Sequence, residues 1–322
     1  MNSESLRARR DERRRATLRR RRAALALAAA VLAVASILIV ALAGSGGTSG
    51  VAPRASTSSA PAHAGARRSA PADRGGGVAT GRPGTEPVPI LMYHVIAPAP
   101  SGAPFPGLYV TPAEFAAQMH ALKAAGWSSV TLDELDAYWR RGVSLPRGRP
   151  IVVSFDNGYQ SQYSNALPVL RSLGWVGDEN IQLTGLPPSQ GGLGEAEVRG
   201  LIAAGWELDT QGISHADLIA LDAQALHEQV AGGRATLQHR YGVPVNWFCY
   251  PSGHYDATVI AAVKAAGFKG STTVVPGWAS PAGDAYRLPR LRVLGGTSAQ
   301  SLLSEIAAIR GDPPPPASYN GA

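Results

Sequence analysis

The chain has 322 residues, 45% of them hydrophobic and 16% charged, enough to bury one substantial core with appendages. Its formal charge of +7 is the mark of a polyanion partner only until it is located, because residues 1–22 hold ten arginines against Glu4, Asp11 and Glu12 and account for all of it. The remainder is balanced, so no broad basic face exists outside the tail and no nucleic-acid partner is expected. A single cysteine, Cys249, excludes an intramolecular disulfide, and stability has to come from packing.

Residues 23–43, AALALAAAVLAVASILIVALA, carry no charge. As a helix rising ~1.5 Å per residue they match the ~30 Å hydrocarbon core of a bilayer. The arginine flank predicts a single-pass membrane protein with residues 1–22 cytoplasmic, lipid contact through 23–43 and the rest extracytoplasmic. The alternative is a secretory signal cleaved near Ala43. Residues 44–87 are rich in Gly, Ser, Ala and Pro and read as a disordered linker. Residues 88–310 read as the folded domain, and 311–322, with four consecutive prolines, as a disordered or polyproline tail.

Within the domain, β-rich runs alternate with amphipathic helical ones. PILMYHVI, WSSVTL, RPIVVSFD, ENIQLTG, WELDTQ, NWFCYP, GSTTVV and YRLPRLRV are the predicted strands. The helices between them stop at Gly126, Gly142, Gly174, Gly205, Gly242 and Gly267, as left-handed caps require. This alternation implies parallel strands with helical crossovers, hence an α/β fold of barrel or open-sheet type. In a barrel the strand C-terminal ends converge, which gathers YH, FDNG, TQGISH and YPSGHYD at one mouth. His94 is a candidate ligand contact there. Cys249, inside an apolar run, is a small buried hydrophobe rather than a nucleophile. Tyr93, Tyr159, Tyr250, Tyr255 and Trp278 are equally candidate sugar-stacking rings and candidate core residues.

The segments PILMYHVI, VVSFDNGY, GWELDTQGISHADL, FCYPSGHYD and YRLPRLRV resemble, in order and spacing, the polysaccharide deacetylases, the NodB-homology group of carbohydrate esterase family four. The resemblance implies a distorted (β/α) barrel that removes acetyl groups from N-acetylated glycan, such as peptidoglycan or a surface polysaccharide, using a zinc-like divalent metal. It implies Asp156 as base, His215 as metal ligand, and the Ser252 backbone N–H as oxyanion donor; His94, Tyr250, His254 and Tyr255, by their places at the strand ends, are candidate substrate-binding residues. Asn157 and Gln211 stand where the family pattern has a metal-binding Asp and His, and no histidine follows His254 to serve as the late general acid. Amide oxygens are neutral donors, whereas hydrolytic zinc takes imidazole, thiolate and carboxylate. Two readings follow, a glycan-binding relative with weak or lost catalysis, and an active deacetylase whose metal site is rearranged around Asp156, His215, His254 and Asp209. A scaffold without a glycan role is a further alternative.

Overall fold

A computed structural model describes residues 81–184, 186 and 191–321 of the chain. The arginine tail, the apolar span 23–43 and the linker as far as residue 80 lie outside the described residues, and among the described residues no helix is long and apolar enough to cross a membrane.

Nine strands form the sheet: β1 (Val88–Tyr93), β2 (Trp127–Ser129), β3 (Arg149–Asn157), β4 (Asp178–Ile181), β5 (Glu207–Thr210), β6 (Trp247–Cys249), β7 (Gly270–Thr272), β8 (Trp278–Ala279) and β9 (Leu291–Arg292). Their order is β7-β6-β5-β4-β3-β1-β8, with β2 on β3 and β9 on β1. All pairings are parallel except β1 with β8. The sheet curls into a partial barrel, and the run 288–292 reaches both of its margins. Leu288 bridges Thr272 of β7, and Leu291 pairs with Leu91 of β1. Every predicted strand segment contains a strand or part of one; the antiparallel β8 was not foreseen.

Helices α1 (Pro112–Ala124) and α2 (Leu132–Arg141) are each started by a threonine capping box, Thr111 with Glu114 and Thr131 with Glu134. All six predicted stop glycines have positive φ, between 65° and 85°, so the local rule for helix ends held at each. Helix-side residues of the strands, such as Val153 and Phe155, enter an apolar layer in which Phe155 stacks on Trp206 at 4.9 Å between centroids. The alternate residues of the same strands, Ser154, Asp156, Asn180 and Asp209, are polar and fully or almost fully buried. The barrel interior therefore combines ion pairs and hydrogen bonds with an apolar layer that includes Val88, Ile90, Val152 and Leu288.

The C-terminal tail departs from the expectation of disorder. Tyr319 pairs with the Tyr255 backbone, the Tyr255 hydroxyl donates to the Pro316 carbonyl at 2.8 Å, and Arg287 donates to the Pro315 carbonyl at 3.2 Å. Polyproline needs no internal hydrogen bonds, and its free carbonyls here accept from the domain.

Candidate active site

The C-terminal ends of the strands surround a cavity of about 520 Å³ lined by His94, Asp156, Asn157, Gln211, His215, Tyr250 and Ser252, among others. Eight residues singled out in the sequence, Tyr159 included, thus line one cavity. His254 and Tyr255 do not line it. His254 Nδ1 lies 3.0 Å from Asp217 Oδ1, and Tyr255 is buried against Tyr250 at 4.9 Å and under the tail. Of the stacking candidates, Tyr93 is a core residue bonded to Gln118 and Trp278 packs on Trp127, whereas Tyr159 and Tyr250 line the cavity.

Asp156 and Asn157 end β3, where the chain turns sharply through Asn157 (φ 79°) and Gly158 (φ 85°). Asparagine is one of the few side chains that enters the left-handed region at modest cost. Ser252 (φ 55°) and His215 (φ 52°) are the other two non-glycine residues of positive φ among those described. All three lie at the cavity, where backbone strain commonly marks function.

Asp156 is 2% exposed, and both its oxygens are occupied. Arg290 meets it with a fork, Nη1 to Oδ1 at 2.7 Å and Nη2 to Oδ2 at 2.9 Å. Asn180 donates to Oδ1 at 3.1 Å, and the Cys249 thiol lies 3.5 Å from Oδ2. Burial alone would push this carboxyl up, but the guanidinium charge overrides it and holds Asp156 below the ordinary carboxylate range. Arg290 was the functional residue not identified from sequence. Its signal was an arginine set between the apolar residues of YRLPRLRV, which a strand closing a barrel turns inward.

The metal-ligand positions hold a chain of amides. Asn157 Nδ2 donates to Gln182 Oε1 at 2.7 Å and to Gln211 Oε1 at 2.9 Å, and Gln211 Nε2 donates to Cys249 Sγ at 3.1 Å. Each amide satisfies its neighbour, and both Asn157 and Gln211 are buried. Only His215 offers a conventional zinc donor, and burial lowers its pKa. These residues do not fit the zinc-like ion implied for the family, which needs about three charged or imidazole donors. The rearranged set is not assembled either. Asp209 Oδ1 accepts from the Trp247 backbone N–H at 2.9 Å and does not line the cavity, and His254 is paired with Asp217. Cys249 is fully buried, and burial pushes its thiol up to about 12, as the inert reading of that residue expects.

His94 Nε2 lies 4.0 Å from Asp156 Oδ2, and Nδ1 is buried without a partner. Burial lowers the imidazole pKa to about 4 even though Asp156 opposes the shift, so His94 is neutral at pH 7. Since the unfolded chain protonates this group first, near 6.5, its contribution to stability is complete above that pH. It declines as pH falls toward 4, by about 3 kcal/mol in all. Urea midpoints between pH 7 and 5 should therefore fall more steeply in the wild type than in His94→Gln.

A curled parallel sheet with an aspartate at the end of β3 and a histidine after β5, both facing one cavity, defines the class of NodB-type carbohydrate esterase folds. Comparison with known proteins agrees. Residues 145–271 match the polysaccharide deacetylase family model. The Bacillus subtilis (strain 168) protein YxkH, whose name assigns it to the polysaccharide deacetylases, is 26% identical over 224 residues, covering 69% of this chain and 77% of that one. Among solved structures, the Streptococcus pyogenes deacetylase PplD in complex with acetate aligns with a TM-score of 0.63 at 24% identity, covering 69% of this chain and 99% of that one. The Bacillus cereus polysaccharide deacetylase BC0361 aligns at 0.60 with 26% identity and 69% coverage of both. Over residues 145–271 the chain is thus similar to the polysaccharide deacetylase family, and its fold matches that of solved members.

Proposed function

We propose that this chain binds N-acetylated glycan in the cavity at the barrel mouth, and that metal-dependent de-N-acetylation there is weak or lost. The observation that carries this reading is the amide chain Gln182–Asn157–Gln211–Cys249, whose members spend their hydrogen bonds on one another. Without a Lewis acid, water stays near its bulk pKa of ~15.7 rather than ~7, and Asp156, tied to Arg290, is a weak base for it. The cavity keeps what a sugar needs. Tyr159, Tyr250 and Tyr109 line it beside Gln182 and Ser252, and the ring of Phe105, 68% exposed, stands at its rim. A single exposed ring is ordinary on a protein surface, and it is the position of Phe105 in the cavity lining that makes it a candidate stacking platform. Phe105→Ala should weaken chito-oligosaccharide binding about tenfold by calorimetry, in line with roughly 1–1.5 kcal/mol for an aromatic contact. The apolar span 23–43 after ten arginines supports a location at the outer face of a membrane.

The second reading is an active deacetylase with a different centre, and His94 is the observation in its favour. A buried imidazole with an unpartnered nitrogen stands beside Asp156 in the same cavity as His215. Acetate release from chito-oligosaccharide and peptidoglycan fragments decides between the two, measured together with zinc content. Glycan binding with no acetate and no zinc is the expected result. Turnover with one equivalent of zinc that disappears in His215→Ala would replace it with the second reading.

A further inference from the structure

The other end of the barrel holds a second polar cluster that the mouth does not use. Asp178 opens β4, Glu207 opens β5, and Asp209 follows on the same face of β5. One ligand oxygen from each lies within 4.8 Å of the others. Asp178 pairs with Glu207 in register, and Asn180 pairs with Asp209. Asn180 in turn touches Asp156, so Asp178 sits two residues, or ~7 Å, below the layer of the Asp156–Arg290 pair. None of the three lines the mouth cavity.

Each carboxylate is tethered through one oxygen by a backbone amide, and Asp178 and Glu207 are also within hydrogen-bond reach of each other when one of them carries a proton. Asp178 Oδ1 accepts from the Leu132 N–H at 3.3 Å, Glu207 Oε2 from the Asp133 N–H at 2.9 Å, and Asp209 Oδ1 from the Trp247 N–H at 2.9 Å. Asp178 Oδ2, Glu207 Oε1 and Asp209 Oδ2 are buried and unpartnered. Asp178 and Asp209 are fully buried, and a buried carboxylate oxygen with no donor is among the costliest arrangements in a protein. The first two tethers are amides at the start of α2, but burial first and repulsion from neighbouring carboxylates second push all three carboxyls up, so a proton competes with a cation for the cluster. Lys269 donates to Asp133 at 2.7 Å. That pair is about one-third exposed, and the Asp133 N–H in turn donates to half-buried Glu207.

We propose that Asp178, Glu207 and Asp209 bind a hard divalent cation, of the calcium or magnesium class, at the floor of the barrel. Three preset carboxylate oxygens form an all-oxygen donor set of the kind these ions select, with water completing the shell. The ion would offset most of the charge of the floor and tie β4, β5 and the start of α2 together. The proposal is independent of what happens at the mouth.

The test uses the full-length protein, purified in detergent with calcium and magnesium present and analysed for bound metal. It is then chelated and titrated with terbium while tryptophan is excited. Trp247, whose backbone N–H holds Asp209 and whose indole donates to Asp133 at 3.1 Å, is placed to sensitise an ion in the cluster. One equivalent of bound calcium or magnesium, or one saturable terbium site displaced by either, is expected, together with a melting temperature that falls on chelation and recovers on re-addition. Glu207→Gln and Asp178→Asn should each weaken binding at least a hundredfold. Wild-type protein that carries no hard cation, gives no sensitised signal and melts unchanged with chelator would overturn the proposal, even if both variants fail to fold. Binding that survives in a folded variant would do the same by placing the ion elsewhere.

Discussion

Replacing Arg290 by methionine is expected to destabilise the domain by about 3–5 kcal/mol, the usual cost of stranding one member of a buried ion pair. Arg290 is fully buried. Besides the fork to Asp156, its Nε donates to the Thr273 carbonyl at 2.8 Å and its Nη1 to the Ser154 hydroxyl at 3.2 Å. It thus joins the closing run 288–292 to β3 and to the end of β7. Arg290→Lys should recover little, because an ammonium cannot reproduce a planar fork to two oxygens. The pH dependence separates this mechanism from simple loss of packing. Without the guanidinium, burial raises the Asp156 pKa above its unfolded value. The folded variant then takes up the proton first, and its deficit against wild type shrinks as pH falls from 7 toward 5. Urea unfolding at pH 7 and 5 measures it, and a deficit that stays constant would mean that Asp156 is not the partner that matters.

Much of the fold was legible because its punctuation is local. A glycine at a helix stop needs only its own φ to be useful, and Gly126, Gly142, Gly174, Gly205, Gly242 and Gly267 could each be read without knowing the rest of the chain. The mouth was legible in the same way, since Asp156, Asn157, Gln211 and His215 fall at strand ends that parallel topology must bring together. What was missed depends on partners far away in sequence. DENI reads as a polar, surface-like run, yet all four residues are buried, because Asn180 meets Asp156 and Asp178 meets the start of α2. Arg290 is an unremarkable arginine until the sheet curls and turns it toward Asp156, 134 residues away. His254 and Tyr255 were drawn into the site by their place after YPSG, but the tail that pairs with Tyr255 and the Asp217 that takes His254 were invisible in composition.

Restoring the two altered positions together, Asn157→Asp with Gln211→His, should give the mouth the carboxylate and imidazole donors of a zinc site. Losing one outer partner of a metal ligand costs ~10- to 100-fold in affinity, so regaining a carboxylate and an imidazole beside His215 should raise zinc affinity at least a thousandfold. The backbone permits the change, since aspartate, like asparagine, tolerates the left-handed φ of 79° at position 157. The hydrogen bonds do not. The new carboxylate would lose the donations to Gln182 and Gln211, face the Gln182 amide oxygen and sit next to Asp156. The imidazole would forfeit the donation to Cys249. Metal-free, the double variant should therefore be about 1–3 kcal/mol less stable than wild type. Zinc at about 100 times its dissociation constant should return about 2.7 kcal/mol. Melting curves with and without zinc show both effects in one experiment. A folded double variant that zinc does not stabilise would mean that His215 no longer points where a first-sphere ligand must, and that the mouth has diverged beyond its two amides.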